Sequence, residues 1–139
     1  MKKLSIIFCA LVVLYGLTSC FTDSPDYYVK YVAKVDVDGY ASISYVAESQ
    51  FTYMSEKGLE TVDLTRQNLW STTIGPLKKG FIASLSGYAV VVHAKSAPMT
   101  LSIYVCRGDE PFVLKAQQES EKEVDHKNMV STSVSYTIE

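Results

Sequence analysis

Period-two alternation of apolar and polar residues is the feature that most narrows what this chain can fold into. Residues 28–37 place Val29, Tyr31, Ala33, Val35 and Val37 on one face and Lys30, Lys34 and Asp36 on the other. That spacing is the signature of a half-buried strand. Asp38-Gly39 follows, a dipeptide suited to the positive φ angles of a tight hairpin turn. Residues 40–47 resume the pattern, with Ala41, Ile43, Tyr45 and Ala47 opposite Ser42 and Ser44. The pattern predicts a hairpin over 28–47. Near the other terminus, Leu101, Ile103 and Val105 share a face in 100–106. Within 129–138, Val130, Thr132, Val134, Tyr136 and Ile138 alternate with Ser131, Ser133, Ser135 and Thr137.

Between these ends the chain reads as short strands punctuated by turns. Residues 51–54 form a strand closed by Lys57-Gly58, and 61–64 an edge segment. Residues 68–74 carry Trp70 in a Ser/Thr-rich, β-prone run that ends at Gly75-Pro76. Lys78, Lys79 and Gly80 make a turn, 81–85 alternates, and Gly87 breaks the strand. Residues 88–94 are nearly all apolar, as in a central strand covered on both faces. Further turns at Ser96-Ala97-Pro98 and Gly108-Asp109-Glu110-Pro111 flank 100–106, and Phe112, Leu114 and Ala116 share a face beyond. The charge-rich 119–128 reads as a solvated loop. No sustained helical period occurs after residue 20. About 7–9 short strands with regular turn signals predict an all-β antiparallel sandwich.

The N-terminus has a different logic. Lys2 and Lys3 precede an eleven-residue run, Leu4 to Leu14, interrupted only by Ser5. A membrane span needs about 20 apolar residues, so this shorter run fits the core of a secretory signal. Leu17-Thr18-Ser19-Cys20 follows and resembles the lipobox of bacterial lipoproteins. The resemblance implies cleavage before Cys20, a thioether-linked diacylglycerol on its sulfur and a third acyl chain on its amine. Two or more chains hold a protein on a bilayer stably. Phe21 stands where an Asp would signal inner-membrane retention, so the resemblance implies the outer membrane of a Gram-negative bacterium. The expected organisation is a signal peptide over 1–19, a lipidated tether over 20–27 and one domain over 28–139.

Processing leaves 120 residues, enough for one core. Loss of Lys2 and Lys3 takes the formal charge from −2 to −4, which offers nucleic acid no electrostatic attraction. Cys9 leaves with the signal and Cys20 is acylated, so Cys106 has no disulfide partner. It reads as a small buried hydrophobe, with Arg107 on the opposite face of its strand. His93, in the most apolar strand, reads as a hydrogen-bonded sheet histidine. His126, with Glu123 and Asp125 nearby, matches no metal-ligand spacing and reads as part of a solvated loop. No Ser or Cys is marked as a nucleophile by a base and an orienting group. The residues therefore predict no enzyme, no metal and no cofactor.

Ten tyrosines are many for 139 residues. Core and cross-strand packing is the first expectation for them; Tyr104, Tyr53 and Trp70 are the candidates for exposed aromatics, with Trp70 fitting the core equally well. Ile43-Ser44-Tyr45, then Leu69-Trp70-Ser71-Thr72-Thr73-Ile74, Ala83 to Leu85, and Leu101-Ser102-Ile103-Tyr104-Val105 followed by Gly108 occur in the order of another family. Over residues 28–108 the chain resembles the MmpS family of small mycobacterial membrane proteins. That resemblance implies an Ig-like β-sandwich and an accessory role beside lipid and siderophore exporters. This chain departs from the family in having a lipobox in place of a spanning helix, an unpaired Cys106, and strands beyond residue 110. No functional residue transfers. The expectation is a lipid-anchored Ig-like sandwich acting as a protein-interaction module beside an envelope complex. The alternative is a ligand- or glycan-binding lipoprotein using exposed aromatics, its ligand unspecified.

Overall fold

Where the alternation is strict, the chain extends. The computed structural model describes residues 25–39, 43–121 and 123–139. The expected signal, Cys20, residues 21–24 and the stretch 40–42 lie outside the described residues. Ten strands follow in order: β1 (Tyr27–Val35), β2 (Asp38–Gly39), β3 (Tyr45–Ser55), β4 (Gly58–Thr65), β5 (Leu69–Leu77), β6 (Ile82–Val92), β7 (Ala94–Ser96), β8 (Met99–Arg107), β9 (Val113–Glu119) and β10 (Met129–Thr137). The described residues contain no helix.

Two four-stranded sheets, β5-β1-β8-β9 and β10-β6-β3-β4, pack face to face, and β2 and β7 make a separate ribbon. Every pairing is antiparallel. The architecture is the expected all-β antiparallel sandwich. Its ten strands exceed the expected 7–9 because β2 and β7 are only two and three residues long. Across the interface β10 lies over β8 and β9, β6 over β8 and β1, and β3 over β1.

The core is made by the alternating positions. Val29, Tyr31, Ala33 and Val35 of β1 and Met99, Leu101, Ile103 and Val105 of β8 line the first sheet. Phe51, Ala83, Leu85, Ala89, Val91 and Val130 answer from the second. Each fully buried Val, Leu, Ile or Phe contributes about 1.5–3 kcal/mol of transfer free energy. The Tyr31 hydroxyl crosses the sandwich to donate to the Met54 carbonyl at 2.7 Å. Burial pushes that hydroxyl well above the usual tyrosine pKa. The Ser49 hydroxyl, on the inner face of β3, is buried with no hydrogen-bond partner.

Three local expectations are overturned. The hairpin over 28–47 does not form, because both edges of β1 are already taken. Tyr27–Lys34 pairs with Leu69–Leu77 on one side and Tyr27–Val35 with Met99–Arg107 on the other. Asp38-Gly39 pairs instead with Ser96 and Ala94, and the chain changes sheets before β3. Among the described residues consecutive long strands pair as hairpins at β3–β4, with Ser55 opposite Gly58, and at β8–β9, with Val105 opposite Val113. Gly87 does not break a strand, since β6 runs through it and it lies opposite Phe51. Its missing side chain is what seats the Phe51 ring: a Cβ there would fall 2.5 Å from the Gln50 carbonyl oxygen and closer still to the ring. Gly75-Pro76 likewise falls inside β5, where a register shift between Tyr27 and Val29 accommodates it. Gly75 has φ +136, and the Tyr28 ring occupies the space a Cβ would need.

Gly87→Ala forces a methyl against both backbone and ring. It is expected to lower unfolding free energy by about 1–3 kcal/mol, read as a shift in urea midpoint with unchanged slope. Ser49→Ala removes an unpaired buried hydroxyl and is expected to raise stability by about 1 kcal/mol in the same assay.

Candidate functional site

The chemistry-bearing side chains are dispersed. His93 is exposed, outside β6, with φ +54. It is not the sheet histidine expected, because β6 ends at Val92 and the chain turns before β7. Its carbonyl accepts a 2.8 Å hydrogen bond from the Ser44 hydroxyl. His126 sits on an exposed turn. Cys106 is free and buried. Among the described residues, no group of three His, Cys, Asp or Glu side chains could hold a metal ion. A cleft of about 340 Å³ is lined by Ser120, Glu121, Glu123 and Asp125 together with the start of β10. Asp125 is already engaged there, accepting from the N–H groups of Lys127 at 2.8 Å and Met129 at 2.9 Å. The Met129 bond, above all, holds its carboxyl below the usual aspartate range.

The three aromatic candidates do not form one platform. Trp70 and Tyr53 are half-buried and packed on the core. Trp70 stacks on Phe51 with centroids 5.6 Å apart and rings inclined 14°, and tilts against Tyr53 at 5.5 Å. Tyr53 in turn meets Tyr31 at 5.5 Å. This chain of rings closes the side of the sandwich between β5 and β3. Tyr104 is on the other face of the first sheet, beside Lys30 and Leu114. Tyr53 has a second tie: its hydroxyl donates to Glu60 Oε2 at 2.7 Å, and the Ser55 hydroxyl donates to Glu60 Oε1 at 2.7 Å. The Glu60 bond holds the Tyr53 hydroxyl above its usual pKa. The Ser55 bond, then the Tyr53 bond, hold Glu60 below the usual glutamate value.

A different cluster combines exposure with shape. At the end of the sandwich where β3 begins, the Arg66 guanidinium lies 4.7 Å from the Tyr45 ring centroid, a cation–π pair. Arg66 has φ +54 and donates its N–H to the Ala47 carbonyl at 3.1 Å. Asn68 accepts from the Val35 N–H at 2.8 Å, tying the β4–β5 connection to the end of β1. Val37, Ser44, Tyr45, Val46, Arg66 and Asn68 line a cleft of about 250 Å³. Ile43 and Leu69, next in sequence to the lining residues Ser44 and Asn68, are 48% and 59% exposed.

The alternation puts Tyr45 and Ile43 on the buried face, and the structure reverses both. Val46 pairs with Val91 but Glu48 pairs with Val90, so Ala47 is an extra residue in the ladder. A bulge of this kind flips the phase of everything before it. Val46 points in and Tyr45 out, while Phe51, beyond the bulge, still points in. Arg66 carried no sequence signal, because its role depends on a turn conformation.

Comparison with protein-family models found no match, and no curated protein matches the chain.

The folded pKa of Glu60 is lowered, so its contribution to stability is complete above the ordinary value of 4.5 and disappears as pH falls through the lowered value. Wild type is therefore expected to exceed Glu60→Gln in urea midpoint at pH 7. The gap should close progressively below pH 4.5; a gap independent of pH would refute the assignment.

Proposed function

We propose that this is a cell-envelope lipoprotein, held in the outer membrane of a Gram-negative bacterium by acyl chains on Cys20. Its sandwich acts as a non-catalytic interaction module, an accessory subunit beside an envelope protein complex. The observation that carries the reading is the Tyr45–Arg66 pair over its cleft, with exposed Ile43 and Leu69 next in sequence to its lining residues. Tyr and Arg are the residues most often found to dominate protein interfaces. Exposed aliphatic side chains around a concave centre are what a partner's anchor residue would bury. An accessory role is also what the resemblance to the small mycobacterial membrane proteins implies. The glycan-binding alternative has less support, because Tyr53 and Trp70 are committed to the ring stack that joins the sheets.

The test is crosslinked co-purification of the tagged, lipidated protein from its native membranes, read by mass spectrometry. A single stoichiometric envelope protein is expected with wild type. Arg66→Gly combined with Tyr45→Ala should reduce its recovery about tenfold, equivalent to about 1.4 kcal/mol of binding. Glycine suits the φ of +54 at Arg66, so this variant removes the guanidinium without straining the turn. Recovery of the protein alone would defeat the reading. Cys20→Ser should move the protein from the membrane to the soluble fraction.

A further inference from the structure

The end of the sandwich opposite the Tyr45–Arg66 cleft is also unusual. Tyr27, the first residue of β1, lies opposite Leu77 and Arg107. The residue before it is fastened twice: the Asp26 carbonyl accepts from the Gly108 N–H at 2.8 Å, and its carboxylate pairs with Lys78 Nζ at 2.6 Å. The direction in which the chain leaves the domain is thus fixed against two turns. The Ile138 carbonyl accepts from the Gly80 N–H at 2.8 Å, and Ile82 lies opposite Thr137, so the β5–β6 turn and the C-terminus sit at this end as well. The β3–β4 turn joins them, with Leu59 opposite Met54.

Eight large apolar side chains are exposed among the described residues, and four lie toward this end, Leu59, Ile82, Phe112 and Val113, with Leu114 next along β9. Ile82 and Val113 are 59% and 53% exposed. Beside the Lys78–Asp26 pair, the exposed charges here balance, Lys57, Lys79, Arg107 and Lys115 against Glu56, Asp109, Glu110 and Glu139. An end that is apolar and balanced in charge suits a zwitterionic headgroup layer better than an anionic one.

We infer that this end rests on the bilayer, with Ile82 and Phe112 entering the headgroup layer. The inference depends on the reading of Cys20 as the lipid-bearing residue. Six peptide steps separate Cys20 from Asp26, about 21 Å when fully extended. The headgroup region on each side of a bilayer takes roughly 5–8 Å of that. The tether is too short to let the domain turn over, and the Asp26 bonds set which end meets the surface. Long basic side chains at the rim, such as Lys57 and Lys79, can keep their charges in water while their stems lie along the apolar layer.

The experiment uses the full-length lipidated protein in phosphatidylcholine vesicles. Ile82→Cys and Phe112→Cys carry an environment-sensitive fluorophore, and Ile43→Cys and Leu69→Cys serve as distal controls, all in a Cys106→Ala background. Blue-shifted, severalfold brighter emission at positions 82 and 112 only, relative to detergent-free deacylated protein, is expected. Slower amide exchange over residues 107–113 of the unlabelled wild type on vesicles gives a second measure that needs no substitution. Equal emission at all four sites, with unchanged exchange, overturns the docking while an intact mass showing acylated Cys20 leaves the anchor standing. An unmodified Cys20 overturns both.

Discussion

The stack of Phe51 on Trp70 is the contact through which the two sheets are locked in register. Each ring sits on a small residue of its own sheet. Phe51 lies opposite Gly87 on β6, and Trp70 opposite Ala33 on β1. A larger residue at either small position would lift its ring out of the stack. The arrangement alternates large and small across the layer, the pattern by which facing layers interdigitate. It also places the aromatic mass between β3 and β5, where the Tyr53–Glu60–Ser55 bonds bind the β4 side to it. Aromatic pairs in offset or tilted geometry add about 0.5–1.5 kcal/mol beyond burial. Here three such pairs share members, so loss of one ring loosens its neighbours too.

The second constraint is the central position of β1. β1 is the first strand of the described residues. It is hydrogen-bonded on both sides, to β5 and β8, and Val29, Tyr31, Ala33 and Val35 are at most 1% exposed. Any force applied through a tether at Asp26 is therefore carried into the middle of a sheet. The load is shared between two antiparallel ladders and the two bonds of Asp26.

Most of the fold class was legible in the sequence because burial on one face of a strand leaves a period-two record. That record states which face is buried, and it does not name the neighbour. The Asp38-Gly39 turn signal is local, and it is outweighed by two long apolar ladders that close only when residues some 40 and 70 positions further along arrive at β1 (compare Ala33 with Trp70 and with Leu101). Glycine posed a related ambiguity. At Gly58, with φ +114, it marks a turn as expected. At Gly87 it makes room for a ring in the middle of a strand, and only the position of Phe51 distinguishes the two. The candidate surface was less legible still. A one-residue bulge at Ala47 turned Tyr45 outward, and no local composition announces that bulge. Tyr53 and Trp70, for which the sequence leaves packing and exposure both open, take the packing role and join the two sheets.

These features give the molecule a direction. A nine-residue strand such as β1 spans roughly 30 Å, and it separates the Asp26 exit from the Val35–Asn68 tie beside the cleft. The two ends differ in kind. The exit end combines exposed aliphatic and aromatic residues with balanced charges, whereas the opposite end presents a cation–π pair over a lined cleft. Because β1 is rigidly paired along its whole length, orientation imposed at one end is transmitted to the other without a hinge. A short tether would then do more than retain the domain. It would hold the Arg66 face at a set height above the surface, where a partner confined to the same membrane meets it in one orientation. Such confinement raises the effective concentration of a tethered site, so that even a small interface can be occupied.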